Sequence, residues 1–131
     1  MSASLDERLG FLLKELKGKI DGLSSCGIVA REGLIVASIL DEGISEMHIA
    51  AMSAIILTTC ERVLVELKRG ELDICVVQGS DGKFIVMECG DENILTGVFE
   101  EDVAMDQVFI QMRMTVNKVI EFLELYDEEM D

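Results

Sequence analysis

The chain has 131 residues, half of them apolar, no proline or tryptophan, and a formal net charge of −15 at neutral pH. That apolar share excludes a disordered chain, and so acidic a balance excludes a nucleic-acid binder, which needs clustered Lys and Arg to meet phosphates. The length suits one domain with a real core, and a positive mean hydropathy points to apolar surface reserved for a partner, although a large core could also account for it.

In chain order, Ser4-x-x-Glu7 has the form of a capping box and opens a first helix. Leu5, Leu9, Leu12, Leu13, Leu16 and Ile20 recur at helical spacing on one face, and Asp21-Gly22 ends it. Two β-type runs follow, Cys26 to Ala30 and Leu34 to Leu40, flanking Arg31-Glu32-Gly33, where Gly33 can take the left-handed conformation that closes a tight hairpin. Ser45 is placed to cap a second helix reaching about Lys68, with Arg69-Gly70 ending it. Leu72 to Gln78 reads as a third strand, Phe84 to Cys89 as a fourth and Ile94 to Phe99 as a fifth. They are joined by the turns Gly79-Ser80-Asp81-Gly82 and Gly90-Asp91-Glu92-Asn93. Asp102 can cap a last helix in which Met105, Val108, Met112, Val116, Val119 and Leu123 keep helical spacing to about Tyr126. The order α-β-β-α-β-β-β-α separates helices by hairpins, which predicts an α/β layered domain with an antiparallel sheet. With no proline, linker or internal repeat, residues 1–131 are expected to be a single domain, with a core over about 4–126 and an acidic tail at 127–131.

Charge is uneven along the chain. Residues 1–22 hold four acids and four bases, whereas Glu100 to Asp131 holds ten acids against Arg113 and Lys118. The tail either solubilises or docks to a basic partner patch. The longest uncharged run, Met47 to Cys60, falls short of the roughly 18 residues a membrane span needs. The stretch Met1 to Glu7 lacks the basic and apolar regions of a secretory signal. A cytoplasmic protein without membrane insertion is the expectation.

Several stretches resemble the Roadblock dynein-light-chain family. Gly27 to Ser38 is similar to its first hairpin, a small-apolar strand, a charged-Gly turn and a strand ending in Ala-Ser. Arg69-Gly70-Glu71-Leu72 is similar to the entry to its third strand, and the Gly-Ser-Asp-Gly and Cys89-Gly90-Asp91 turns to its later hairpins. The likeness runs over about residues 4–125. It implies a five-stranded antiparallel sheet in a profilin-like layering, the middle helix on one face and the terminal helices on the other. Members pair through the middle helix and third strand, and include dynein light chains, scaffolds for Rag-type GTPases and the bacterial MglB regulator of a Ras-like GTPase.

Read from its residues alone, the middle helix has an apolar sector of Ile49, Met52, Ile56, Leu57, Cys60, Val63, Leu64 and Leu67 that should cover the sheet. Opposite lie Met47, Ala51, Ala54, Ile55, Thr58 and Val65, interrupted by Arg62. Such small side chains permit close approach of another helix. A covering loop of the same chain is the alternative, but no long loop is available. The third strand alternates Leu72, Ile74 and Val76 with Asp73, Cys75 and Val77, and left at an edge it would invite pairing with another copy. The expected dimer interface is therefore Met47, Ala51, Ala54, Ile55, Thr58, Leu72, Ile74 and Val76, with Glu61, Arg62 and Glu66 on the exposed ridge for a further partner.

No pattern carries chemistry. Cys26, Cys60, Cys75 and Cys89 stand apart in apolar runs with no Cys-x-x-Cys pair, so they read as reduced, buried small hydrophobes with no metal, cofactor or disulfide. His48 is the sole histidine and has no triad partners. Gly79 to Lys83 lacks the spacing and following helix of a phosphate loop, and Asp41-Glu42 and Asp91-Glu92 lack a calcium ladder. Arg31 or Arg62 as an arginine finger finds no supporting pattern. The leading expectation is a non-enzymatic homodimeric scaffold for a small Ras-like GTPase; the alternative is a structural assembly subunit, like a motor light chain, that contacts no GTPase. A small-molecule sensor lacks the polar cluster amid aromatics that a pocket uses.

Overall fold

The computed structural model describes residues 4–130. Met1 to Ala3, the first residues read for a targeting signal, and Asp131 at the tip of the acidic tail lie outside the described residues. The elements run α1 (Leu5–Lys19), β1 (Leu23–Ala30), β2 (Ile35–Ile39), α2 (Glu46–Glu66), β3 (Cys75–Gln78), β4 (Gly82–Glu88), β5 (Asn93–Glu100) and α3 (Met105–Met130). The order is the one the periodicities predict, and every strand pair is antiparallel. The sheet runs β2-β1-β5-β4-β3, so β3 is an edge strand.

Neighbouring residues in a strand point to opposite faces, and here both faces are covered. In β1, Cys26 and Ile28 join one core and Val29 the other. In β4, Ile85 and Met87 oppose Val86; in β5, Leu95 and Phe99 oppose Ile94. The first core receives Leu9, Leu13 and Leu16 from α1 and Val108, Met112, Val116 and Val119 from α3. The second receives Ala50 and Leu57 from α2. At the sheet centre Gly97 lets Phe99 fold back: a Cβ there would stand 2.7 Å from the Phe99 ring.

Four local expectations change. The Ser4 hydroxyl makes no cap bond to α1; it bonds the Asp6 carboxylate and holds it below the usual carboxylate range. Asp102 lies upstream of α3, whose first helical bond runs from the Val108 N–H to the Ala104 carbonyl at 3.1 Å. α3 also continues through the acidic residues to Met130 instead of ending near Tyr126. At the end of α2 the left-handed position falls on Lys68 (φ 55), before Gly70 is reached. The Lys68 and Arg69 N–H groups bond the Val65 and Leu64 carbonyls at 3.1 and 2.9 Å, the paired closure of a Schellman motif.

β3 is shorter than its alternating pattern predicts. Its register pairs Cys75 with Val86, and extending the ladder backwards would set Asp73 directly opposite Glu88, two carboxylates face to face. Asp73 instead pairs with Arg113 of α3. Leu72 and Ile74 are partly buried, Leu72 against the α2 core and Ile74 against the α1–α3 core.

Candidate interaction surface

α2 is apolar nearly all round, so periodicity alone does not tell which side meets the sheet. The buried side consists of Ile49, Ala50, Ser53 and Leu57. Ser53 makes this face legible only in three dimensions: its hydroxyl donates to the Ile49 carbonyl at 2.6 Å and lies 3.1 Å from Thr96 Oγ1 on β5. The sheet-facing sector is therefore rotated from the one expected. Met52, Val63 and Leu67 turn away from the sheet, 49%, 48% and 62% exposed.

Of the residues expected to line a dimer interface, Met47 and Ile55 are 74% and 65% exposed, and Ala51 and Thr58 are exposed beside them. Val76 is exposed on the β3 edge with its neighbour Val77. Ala54 does not stand free. It is half-buried under the β1–β2 turn, where a Cβ on Gly33 (φ +91) would make ordinary van der Waals contact with it, 3.9 Å from Ala54 Cβ and 3.8 Å from Ala51 Cα. The small side chains at 51 and 54 thus admit the chain's own hairpin, a contact the short turn between strands gave no hint of. Leu72 and Ile74 likewise belong partly to the interior.

The ridge residues divide. Arg62 and Glu66 are exposed. Glu61 is committed: Arg31 Nη1 and Nη2 donate to its two carboxylate oxygens at 3.0 and 2.9 Å, and Nη2 lies 3.5 Å from Glu88. This fork holds the Arg31 guanidinium above its ordinary value and the Glu61 carboxyl below the usual carboxylate range. It ties the β1–β2 turn to α2 and β4, and it engages Arg31 within its own chain.

The sequence reading missed two features. Cys60 and Cys75, far from isolated, bring their Sγ atoms to 2.8 Å. Between α1 and α3 runs an open groove lined by Glu7, Arg8, Phe11, Leu12, Lys118 and Phe122. There Arg8 stacks 5.3 Å above the Phe122 ring and Lys118 pairs with Glu15 at 2.6 Å. Among the described residues no group of three His, Cys, Asp or Glu side chains could hold a metal ion. α2 is long and apolar enough to cross a membrane by length and composition, which counting the uncharged run alone does not reveal; in this fold it lies along the sheet.

A family model described as the Roadblock/LC7 domain matches residues 9–99. An uncharacterized protein of Methanocaldococcus jannaschii is 26% identical over 101 residues, covering 77% of this chain and 88% of its own. A Roadblock/LC7 domain from Streptomyces avermitilis superposes with a TM-score of 0.83 at 18% identity, over 93% of this chain and 99% of that one. MglB of Myxococcus xanthus superposes at 0.84 and 11% identity, over 92% and 98%.

Proposed function

The chain belongs to the Roadblock/LC7 domain family, and from that premise we propose that it is a single-domain, non-enzymatic homodimeric scaffold whose further partner is a small Ras-like GTPase. The observation that carries the reading is the exposed apolar face of α2 lying on the same molecule as an open, apolar β3 edge. Met47, Ala51, Met52, Ile55 and Thr58 offer a helix surface, and Val76 and Val77 offer unpaired strand backbone. Two copies meeting there would bury the first and satisfy the second. Leu72, Ile74 and Ala54 take a lesser part than their patterns suggested, and Met52 and Val63 join the interface in their place. The expected ridge reduces to Arg62 and Glu66, since Glu61 serves Arg31.

The GTPase as partner rests on the family resemblance, a weaker support than the exposed face, because a fold does not fix a ligand. Calorimetric titration against each small GTPase of the same genome, loaded with GDP or a non-hydrolysable GTP analogue, tests the partner. Binding tighter than about 100 μM, roughly 5.5 kcal/mol, by at least one of them is expected. If none reaches it, the GTPase reading fails and the assembly-subunit role takes its place.

A further inference from the structure

Cys60 and Cys75 come from different elements, α2 and β3, and nothing in their sequence spacing foretells that they meet. Cys60 is half-buried on α2, and Cys75, opposite Val86, opens the edge strand and packs on the smaller core. Their sulfurs are 2.8 Å apart, and a disulfide bond of about 2.05 Å is a sub-ångström closure away. Both residues are half-buried, whereas Cys26 and Cys89 are fully buried. A dissolved reagent therefore has a route to the first pair that it lacks to the other two.

We propose that Cys60 and Cys75 form a thiol–disulfide exchange site, oxidised by a low-molecular-weight disulfide to an intramolecular cystine that staples the edge strand to α2. The Cys60 thiolate attacks one sulfur of the oxidant, RSSR, forming a mixed disulfide and expelling RS⁻. Cys75 then attacks the Cys60 sulfur and expels the second RS⁻. The two thiol protons end on the two leaving thiolates, so the protein loses two electrons and the oxidant becomes two RSH. Cys75 suits the second role. Burial, and next the Cys60 contact, raise its thiol pKa, which disfavours attack on a dissolved oxidant, whereas a mixed disulfide on Cys60 is presented to it within contact distance. Excess thiol reverses both steps.

The site stands on the sulfur geometry and does not depend on the dimer reading. The bond closes a loop of roughly 15 residues, which in the chain-entropy account should raise the melting temperature by roughly 10 °C.

The test incubates the full chain in glutathione disulfide, counts thiols and maps the tryptic peptides. Cleavage after Lys and Arg places Cys26, Cys60, Cys75 and Cys89 in four separate peptides, 20–31, 32–62, 70–83 and 84–113. The expected result is loss of two thiols, a single linkage between peptides 32–62 and 70–83, and the upward melting shift, reversed by dithiothreitol. Cys60→Ser and Cys75→Ser should each abolish the shift. Four thiols remaining, glutathione persisting on Cys60 without ring closure, or a linkage between chains or to Cys26 or Cys89 would each overturn the proposal.

Discussion

The two faces of the sheet are covered in different ways. On one, α1 and α3 lie together, share a continuous core from Leu9 to Val119, and are joined across their outer seam by the Glu15–Lys118 pair and the Arg8–Phe122 stack. On the other, among the described residues, α2 lies alone over a smaller core, with Met47, Met52, Ile55, Val63 and Val65 turned to solvent. The paired layer is not free of exposed apolar groups, since Phe11 of α1 and Phe109, Ile110 and Met114 of α3 also face solvent; the two layers differ in the size of the core beneath them. The larger core places most of the buried apolar volume in the first layer.

Removing buried volume from the first layer has the largest expected effect. Leu13 is fully buried, and Leu13→Ala should lower unfolding free energy by about 3–5 kcal/mol. Ile55→Ala, cutting a side chain of similar size from the outer face of α2, should change the stability of the isolated protomer by less than about 0.5 kcal/mol. Urea titration of the two variants at low protein concentration measures both, and equal losses would erase the distinction.

The Arg31–Glu61 fork gives the next effect. Arg31→Ala leaves Glu61 half-buried without its cation and should destabilise by about 1–2 kcal/mol. Because Glu61 is held below its ordinary value of 4.5, its contribution is present above that value and is lost as pH falls through the lower folded one. Melting curves of wild type and Arg31→Ala should therefore converge as pH drops below about 4.5. A gap that stays constant down to strong acid would contradict the pairing.

The smallest effect sharpens the end of α2. A lysine in the left-handed position is strained, so Lys68→Gly should stabilise by up to about 1 kcal/mol, read as a raised denaturation midpoint. A loss of stability would mean that the lysine side chain does more there than close the helix.

These comparisons also separate what the sequence could say from what it could not. α1 buries Leu9, Leu13 and Leu16 and α3 buries Val108, Met112, Val116 and Val119, all picked out by their spacing, although Phe11, Phe109, Ile110 and Met114 stay exposed on the same helices. α2 is apolar nearly all round, so its spacing carries no phase, and the expected sheet-facing sector includes Met52, Val63 and Leu67, which the fold turns to solvent. β3 obeys a strand's alternation from Leu72, yet its length is decided by Glu88 on another strand, which Asp73 would have to face. Arg31 with Glu61 and Cys60 with Cys75 are likewise pairs made by topology. Single residues at such positions look ordinary until the fold brings them together.

The proposed self-association surface joins α2 to the β3 edge. Light scattering coupled to size exclusion, at tens of micromolar, tests it most directly. The account predicts twice the 14.5 kDa chain mass for the wild type, and the chain mass for Ile55→Arg with its secondary structure intact. A wild-type protein eluting at the chain mass, or an Ile55→Arg variant that remains a dimer, would contradict it.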